Sequence, residues 1–188
     1  IEGWTHETIS ANLGELDGYI EDLRGKLFKP DDDTSFPLLL LRALVDFGPG
    51  VTPEQIGETV LNYLADQRNT LWWGGYGVSS EHTAYLNLAH GIVAPGSGSV
   101  ELNGRALSEQ IGGQIFSDIW GLVAPADPAL AASYASRAAS VTHDGEGIVG
   151  GMFIAALVSL AFVEADPRRL LAGALDVIPP QSEYGVMV

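Results

Sequence analysis

Asp31-Asp32-Asp33-Thr34 is the densest chemistry in the chain. Adjacent carboxylates repel one another at neutral pH, so such a run destabilises a fold unless a solvated loop, a helix N-terminus or a cation compensates. Two uses fit the residue types. The run caps the helix that follows it, accepting amide protons that a first turn leaves unpaired. Alternatively it holds a hard divalent cation, since Mg²⁺ and Ca²⁺ take oxygen ligands. The stretch behind it, with Phe36, Leu38 to Leu41, Leu44 and Val45, is so apolar that its first turn is expected near the interior.

Further along, His143-Asp144-Gly145-Glu146-Gly147 places an imidazole beside glycines that permit close backbone approach. Such a histidine faces a pocket, or it serves as a helix C-cap or core residue. Trp72, Trp73 and Tyr76 flank Gly74-Gly75 and Gly77, where aromatic faces stack on a sugar or base, or close a core from the side. Gly77-Val78-Ser79-Ser80 leads into a helix N-terminus, a place for an anion such as phosphate or for ordinary capping. Glu81, His82 and His90 fall on that helix and read as solvated or packing residues.

Positioning these groups is a job for helices. Thr52-Pro53-Glu54-Gln55 is a capping box, with Ile56, Val60, Leu61 and Leu64 following at helical spacing, and it predicts a helix from Pro53 to about Asp66. Asp127-Pro128 and Asp166-Pro167 repeat the device and open helices toward Ser140 and Asp176. Another follows Thr34, with Pro37 early enough to be tolerated, and Ser80 is expected to cap one that ends at Gly91. Ser99 to Leu102, before Asn103-Gly104, reads as a short extended piece with a tight turn. The alanines of the helix after Asp127 let neighbours approach closely. An all-α multi-helix orthogonal bundle in a single domain, residues 1–188, is the expected architecture.

Composition narrows the function. The 188 residues include 24 Asp and Glu against 9 Lys and Arg, a formal charge of −15, so nucleic acid and anionic membranes are unlikely partners on electrostatic grounds. With no Cys, thiolate metal sites, disulfides and a cysteine nucleophile are excluded. The longest apolar stretch, Met152 to Val163, is shorter than the roughly 20 residues a bilayer span requires, and it reads as a buried helix. No signal peptide is visible, and cytoplasm is the default compartment.

Together these pieces resemble the ADP-ribosylglycohydrolase family of all-helical hydrolases, in the family's order and along nearly the whole chain. Asp31-Asp32-Asp33-Thr34 looks like its first metal motif, a hydroxyl residue, two aspartates and a threonine heading an apolar helix. Gly77-Val78-Ser79-Ser80 is similar to its glycine and hydroxyl turn beside the substrate phosphates and ribose. Ala124-Pro125-Ala126-Asp127-Pro128, the alanine helix, and Ser140-Val141-Thr142-His143 look like its stretch ending in Thr-His, and Glu2-Gly3 resembles the end of its N-terminal glycine-rich motif.

The resemblance implies a metal-dependent glycosidase acting on a small-molecule or protein-linked ADP-ribose-like substrate. Asp32 and Asp33 would be metal ligands with Asp31 as a third. Glu2 would be the general acid/base. Gly77, Ser79, Ser80, His143, Asp144, Trp73 and Tyr76 would lie on the substrate side, and Mg²⁺ or Mn²⁺ would be the cofactor, with two ions in a complete protein. Local positive potential for a pyrophosphate would come from metal and helix N-termini. Asp31 replaces the family's usual Thr or Ser, no acidic residue precedes the glycine turn at Gly75-Tyr76, and the second, Asp-x-Asp metal motif has no counterpart before Val188. The expectation is therefore a portion of a longer member whose site is finished by residues outside this sequence. A carbohydrate or nucleoside glycosidase on the same scaffold, and a non-catalytic structural or ligand-binding relative, are the competing readings.

Overall fold

The computed structural model describes residues 4–18, 31–64 and 74–188. Glu2, Trp72 and Trp73 lie outside the described residues. The chain forms two compact units, residues 1–30 and 31–188. In the first, α1 (His6–Leu13) starts at Thr5, whose side chain accepts the Thr8 amide. All the elements that follow belong to the second unit, and no strand occurs among the described residues.

α2 (Asp32–Phe47) buries Phe36, Pro37, Leu39, Leu40 and Ala43 and leaves Leu38 and Val45 exposed. Pro37 lies inside α2, where its missing N–H leaves one carbonyl of the first turn without the usual partner. α3 (Pro53–Tyr63) carries the capping box, the Thr52 amide donating to Gln55 and the Gln55 amide donating to the Thr52 hydroxyl. Ile56 and Val60 of α3 join Phe36, Leu40 and Ala43 of α2 in the main core.

α4 (Ser80–Ala89) is capped by Ser79 rather than Ser80, because it is the Ser79 hydroxyl that accepts the His82 amide. A short 3₁₀ turn, Gly96–Gly98, precedes α5 (Val100–Asn103). The extended reading of Ser99 to Leu102 is therefore wrong. Ser99 accepts the Leu102 amide and Asp144, distant in sequence, accepts the Val100 amide, so one helical turn closes before Gly104 ends it at φ +83°. That second cap comes from tertiary packing, which local pattern does not carry.

α6 (Arg105–Ser108), α7 (Gly112–Ile115) and α8 (Asp118–Val123) are short and lead to α9 (Pro128–Ala139) and α10 (Glu146–Leu160). α7, α8, α9 and α11 (Pro167–Leu175) pack around α10. Its buried face is Gly147, Gly150, Gly151, Phe153, Ala155, Ala156 and Ser159, a surface small enough for backbones to approach. A Cβ at Gly151 would lie 2.5 Å from the Gly113 carbonyl oxygen, and one at Gly121 would lie 2.5 Å from that of Ala155. On α9 the same logic buries Ala131, Ala132, Ala135, Ala138 and Ala139.

Ser159 latches α10 to the turn before α9: its hydroxyl donates to the Ala124 carbonyl and accepts the Asp127 amide. Beyond α10, Phe162 and Val163 are exposed, so the apolar stretch is a buried helix only as far as Leu160. α12 (Glu183–Met187) takes its cap from Ser182, and its first amides also donate to the Glu146 carboxylate of α10. Among the described residues no helix is long and apolar enough to cross a membrane.

Candidate functional site

The acidic run begins as a cap. Oδ1 of Asp31 accepts the Thr34 amide at 3.1 Å and the Thr34 hydroxyl at 2.8 Å. This commits one oxygen of Asp31 to the helix and leaves Asp32 and Asp33 in the first turn, which lies at the surface and not near the interior as the apolar stretch behind it suggests: Asp31, Asp33 and Thr34 are exposed, and burial begins only at Phe36. The Asp33 carboxyl is pushed above the usual aspartate range, first by partial burial and then by the charges of Asp32, Asp31 and Asp118. Asp118 belongs to α8, some 85 residues later in the chain. It arrives there because Phe36 of α2 stacks on Phe116, just ahead of α8, with ring centroids 4.8 Å apart. Nothing in the local sequence around Asp118 signals that proximity.

Hard carboxylate oxygens have the donor chemistry that suits Mg²⁺ or Mn²⁺. Their geometry is open: among the described residues no three His, Asp or Glu groups converge closely enough to hold an ion. Asp32 and Asp33 are the residues that would hold it, with Asp31 restrained by its cap.

The glycine turn is built by backbone conformation. Gly75 and Gly77 take φ of +122° and +73°, values costly for any residue with a Cβ, and the amides of Val78 and Ser79 both donate to the Gly75 carbonyl. Tyr76 projects outward, 63% exposed. The Gly77 amide donates to the Thr83 hydroxyl of α4. Gln110 then fastens the turn from the far side: its Oε1 accepts the Ser80 amide and hydroxyl, and its Nε2 donates to the Val78 carbonyl. The Ser80 hydroxyl also donates to the Leu107 carbonyl at 2.7 Å. Ser79 and Ser80 therefore satisfy protein groups around the start of α4.

His143 has no exposed side-chain surface. Its Nε2 accepts the Gly113 amide at 3.0 Å, and its Nδ1 is 2.7 Å from the Thr142 hydroxyl. Glycines enclose it, for a Cβ at Gly98 would lie 2.6 Å from the His143 amide nitrogen, one at Gly112 3.0 Å from Cε1 and one at Gly147 3.2 Å from Cβ. Among the described residues, Glu81 of α4 supplies the carboxylate at the ring, its Oε1 3.4 Å from Nε2. Burial pushes the Glu81 carboxyl up, but the hydrogen bond and charge of His143, with a backbone bond, outweigh it and hold the pKa below the usual glutamate range.

Glu81 is not among the candidate site residues read from the sequence. Its position on a helix leaves it as a solvated or a packing residue, and the fold decides for packing, against α7 and His143.

Asp144 serves backbone. Its carboxylate accepts the Val100 amide at 2.9 Å and the Gly145 amide at 2.7 Å, and its own amide donates to the Ser108 carbonyl. It also borders a groove of about 460 Å³ shared with Ser99, Ser136, Arg137 and Ser140. The structure thus gathers Ser79, Ser80, Glu81 and His143 around Gln110 and Gly113, gathers Asp31, Asp32 and Asp33 with Asp118, and joins the two groups through residues 112–118.

The family model described as ADP-ribosylglycohydrolase matches residues 1–187. The chain belongs to the ADP-ribosylglycohydrolase family. No curated protein and no solved structure gives a significant match. Membership supports a glycohydrolase-type function, and the all-helical architecture agrees with that of an ADP-ribosylglycohydrolase.

Proposed function

We propose that this family member is a metal-dependent hydrolase that cleaves the glycosidic bond of an ADP-ribosyl or related ribosyl-like group. The observation that carries the reading is the family match over residues 1–187, with Asp31-Asp32-Asp33-Thr34 at the head of α2 resembling the family's first metal motif; beside it, the Asp33 carboxyl is raised first by partial desolvation and then by the charges of Asp32, Asp31 and Asp118. Carboxylates held side by side repel one another, and cation binding relieves what the helix start leaves uncompensated. A divalent ion bound there supplies Lewis acidity toward ribose hydroxyls or water. In this reading Asp32 and Asp33 hold the ion. Asp31 fixes the direction of the first turn through Thr34.

Glu2 is proposed as the general acid/base from its place in the family motif. The turn at Gly77, Ser79 and Ser80, with Tyr76 exposed beside it and Trp73 preceding it, is proposed to border the ribose and phosphates, and His143 and Asp144 to shape that side from beneath. Since the protein carries a charge of −15, attraction for a pyrophosphate has to come from the ion and local dipoles rather than from Lys or Arg.

The test is release of ADP-ribose from an ADP-ribosylated protein by the full chain with Mg²⁺ or Mn²⁺. Expected is turnover that chelation abolishes and that falls by about 100-fold or more in an Asp32→Ala, Asp33→Ala variant. Turnover indifferent to chelator and to that variant would refute the metal role, and activity confined to simple glycosides would move the substrate to a carbohydrate or nucleoside.

A further inference from the structure

One nitrogen of His143 serves two claims. Nε2 lies 3.0 Å from the Gly113 amide and 3.4 Å from Oε1 of Glu81, and it cannot accept a proton from the first while donating one to the second. At the other end of the ring there is no conflict. Thr142 is a hydroxyl 2.7 Å from Nδ1 and accepts an N–H there in either state of the ring.

We propose that Glu81 and His143 are a positioning pair that ties the backbone at the start of α7 to a single proton. With the imidazole neutral, Nε2 accepts the Gly113 amide and anchors α7. When Nε2 takes up a proton from solvent hydronium as pH falls, leaving water, the Gly113 bond breaks, an Nε2–H to Glu81 bond forms, and the Gly113 amide is released. Nothing else is consumed. The pair is independent of which glycosidic bond the protein cleaves, so it goes beyond the reading above.

Among the described residues the surroundings leave Glu81 as the acid that answers the ring. The 3₁₀ turn at Gly96–Gly98 and α7 bring no charged residue. Asp144 is occupied by the Val100 and Gly145 amides, Glu109 by Arg105 and the Glu146 amide, and Glu146 by the amides that open α12. Arg137 of α9 is turned to the carbonyls of Pro49 and Val51. Glu81 lies within reach, its Oε1 3.4 Å from Nε2, and the hydrogen bond and charge of His143 are what hold its carboxyl below the usual glutamate range against burial, so the two groups are coupled.

The residue has little freedom to respond by moving: a Cβ at Gly112 would lie 3.0 Å from Cε1 and one at Gly113 3.2 Å from Cγ of the ring, while Gly98 and Gly147 approach its backbone nitrogen and Cβ. The change falls instead on the Gly112-Gly113 peptide. Downstream of it the Gly113 carbonyl accepts the Ser117 hydroxyl at 2.7 Å, Phe116 stacks on Phe36, and Asp118 adds its charge to Asp33. A shift at the start of α7 therefore has a continuous packed route to the acidic end of α2.

Nitrogen-15 NMR of the full chain follows the His143 ring and the Gly113 amide together from about pH 5 to 9. Expected is one curve shared by both signals in the wild type, with the Gly113 amide leaving its hydrogen-bonded shift as Nε2 gains its proton. In Glu81→Gln the Gly113 amide keeps that shift over the interval in which the wild type changes. A Gly113 amide that stays put while Nε2 titrates, an Nε2 that remains unprotonated until the protein unfolds, or a Glu81→Gln variant identical to the wild type would each overturn the proposal. The first two outcomes are read on the wild type alone, so the decision does not depend on the variant folding.

Discussion

Asp33 shows how a single side chain reports on its neighbours. Its carboxyl pKa is raised by partial burial and by Asp32, Asp31 and Asp118, so the folded state binds its proton more tightly than the unfolded chain does. By linkage, stability then falls as pH rises from the ordinary aspartate value through the raised one, and the penalty stays constant above it. Asp33→Asn removes that charge. In metal-free protein the variant is expected to melt higher than the wild type at pH 7, with the gain disappearing below about pH 4, where the wild-type carboxyl is protonated in both states. Thermal melts of the two proteins across that range are the check, and a variant that melts lower at pH 7 would contradict the crowding. At Glu81 the sign is opposite, because the lowered carboxyl contributes stability above the ordinary glutamate value and loses it as pH falls through the folded one.

Helices here are tied to one another by carboxylates at their starts. Gly145, which opens α10, has no side chain to offer, and the Glu146 amide donates instead to Glu109 at 3.3 Å. Glu146 in turn receives the first amides of α12, and Arg105 bridges Glu109 and Glu183 at 2.6 Å each. Glycine sets the spacing that allows this. A Cβ at Gly98 would lie 2.5 Å from the Thr142 carbonyl carbon, where only backbone would have to give way. Gly98→Ala is therefore expected to destabilise by about 1–3 kcal/mol or more, as overpacking against an immovable neighbour does. Gly50→Ala is the control, since open space surrounds that position and its φ is ordinary, and it should be neutral or slightly stabilising. Urea midpoints decide between them, and equal midpoints would show that the close approach of the 3₁₀ turn to Thr142 has no energetic weight.

Across the molecule, ligand binding and folding share one free energy. An ion that binds the native acidic site and not the unfolded chain stabilises by about 2.7 kcal/mol at a hundredfold excess over its Kd. Addition of Mg²⁺ or Mn²⁺ to chelator-treated protein is expected to raise the melting temperature, and the same addition to an Asp32→Ala, Asp33→Ala variant should leave it unchanged. Calorimetry supplies the measurement. A wild type indifferent to both ions would favour a non-catalytic role for this family member.

Much of this molecule is written locally. The capping box at Thr52 and Gln55, the Asp127 and Asp166 caps and the alanines of α9 needed only neighbours within a few residues, and each formed where residue type placed it. Asp31 likewise caps α2 from its own sequence position. What local pattern could not supply was every feature whose partner lies far along the chain. Ser99 to Leu102 became a helical turn because Asp144 reached Val100, Glu81 left the solvent because α7 brought Gly113 and His143 against it, and Asp118 joined Asp33 through the stacked rings of Phe36 and Phe116. Periodicity and caps report energies that act within a turn or two of helix, whereas burial and charge at a site depend on which surfaces tertiary packing brings together.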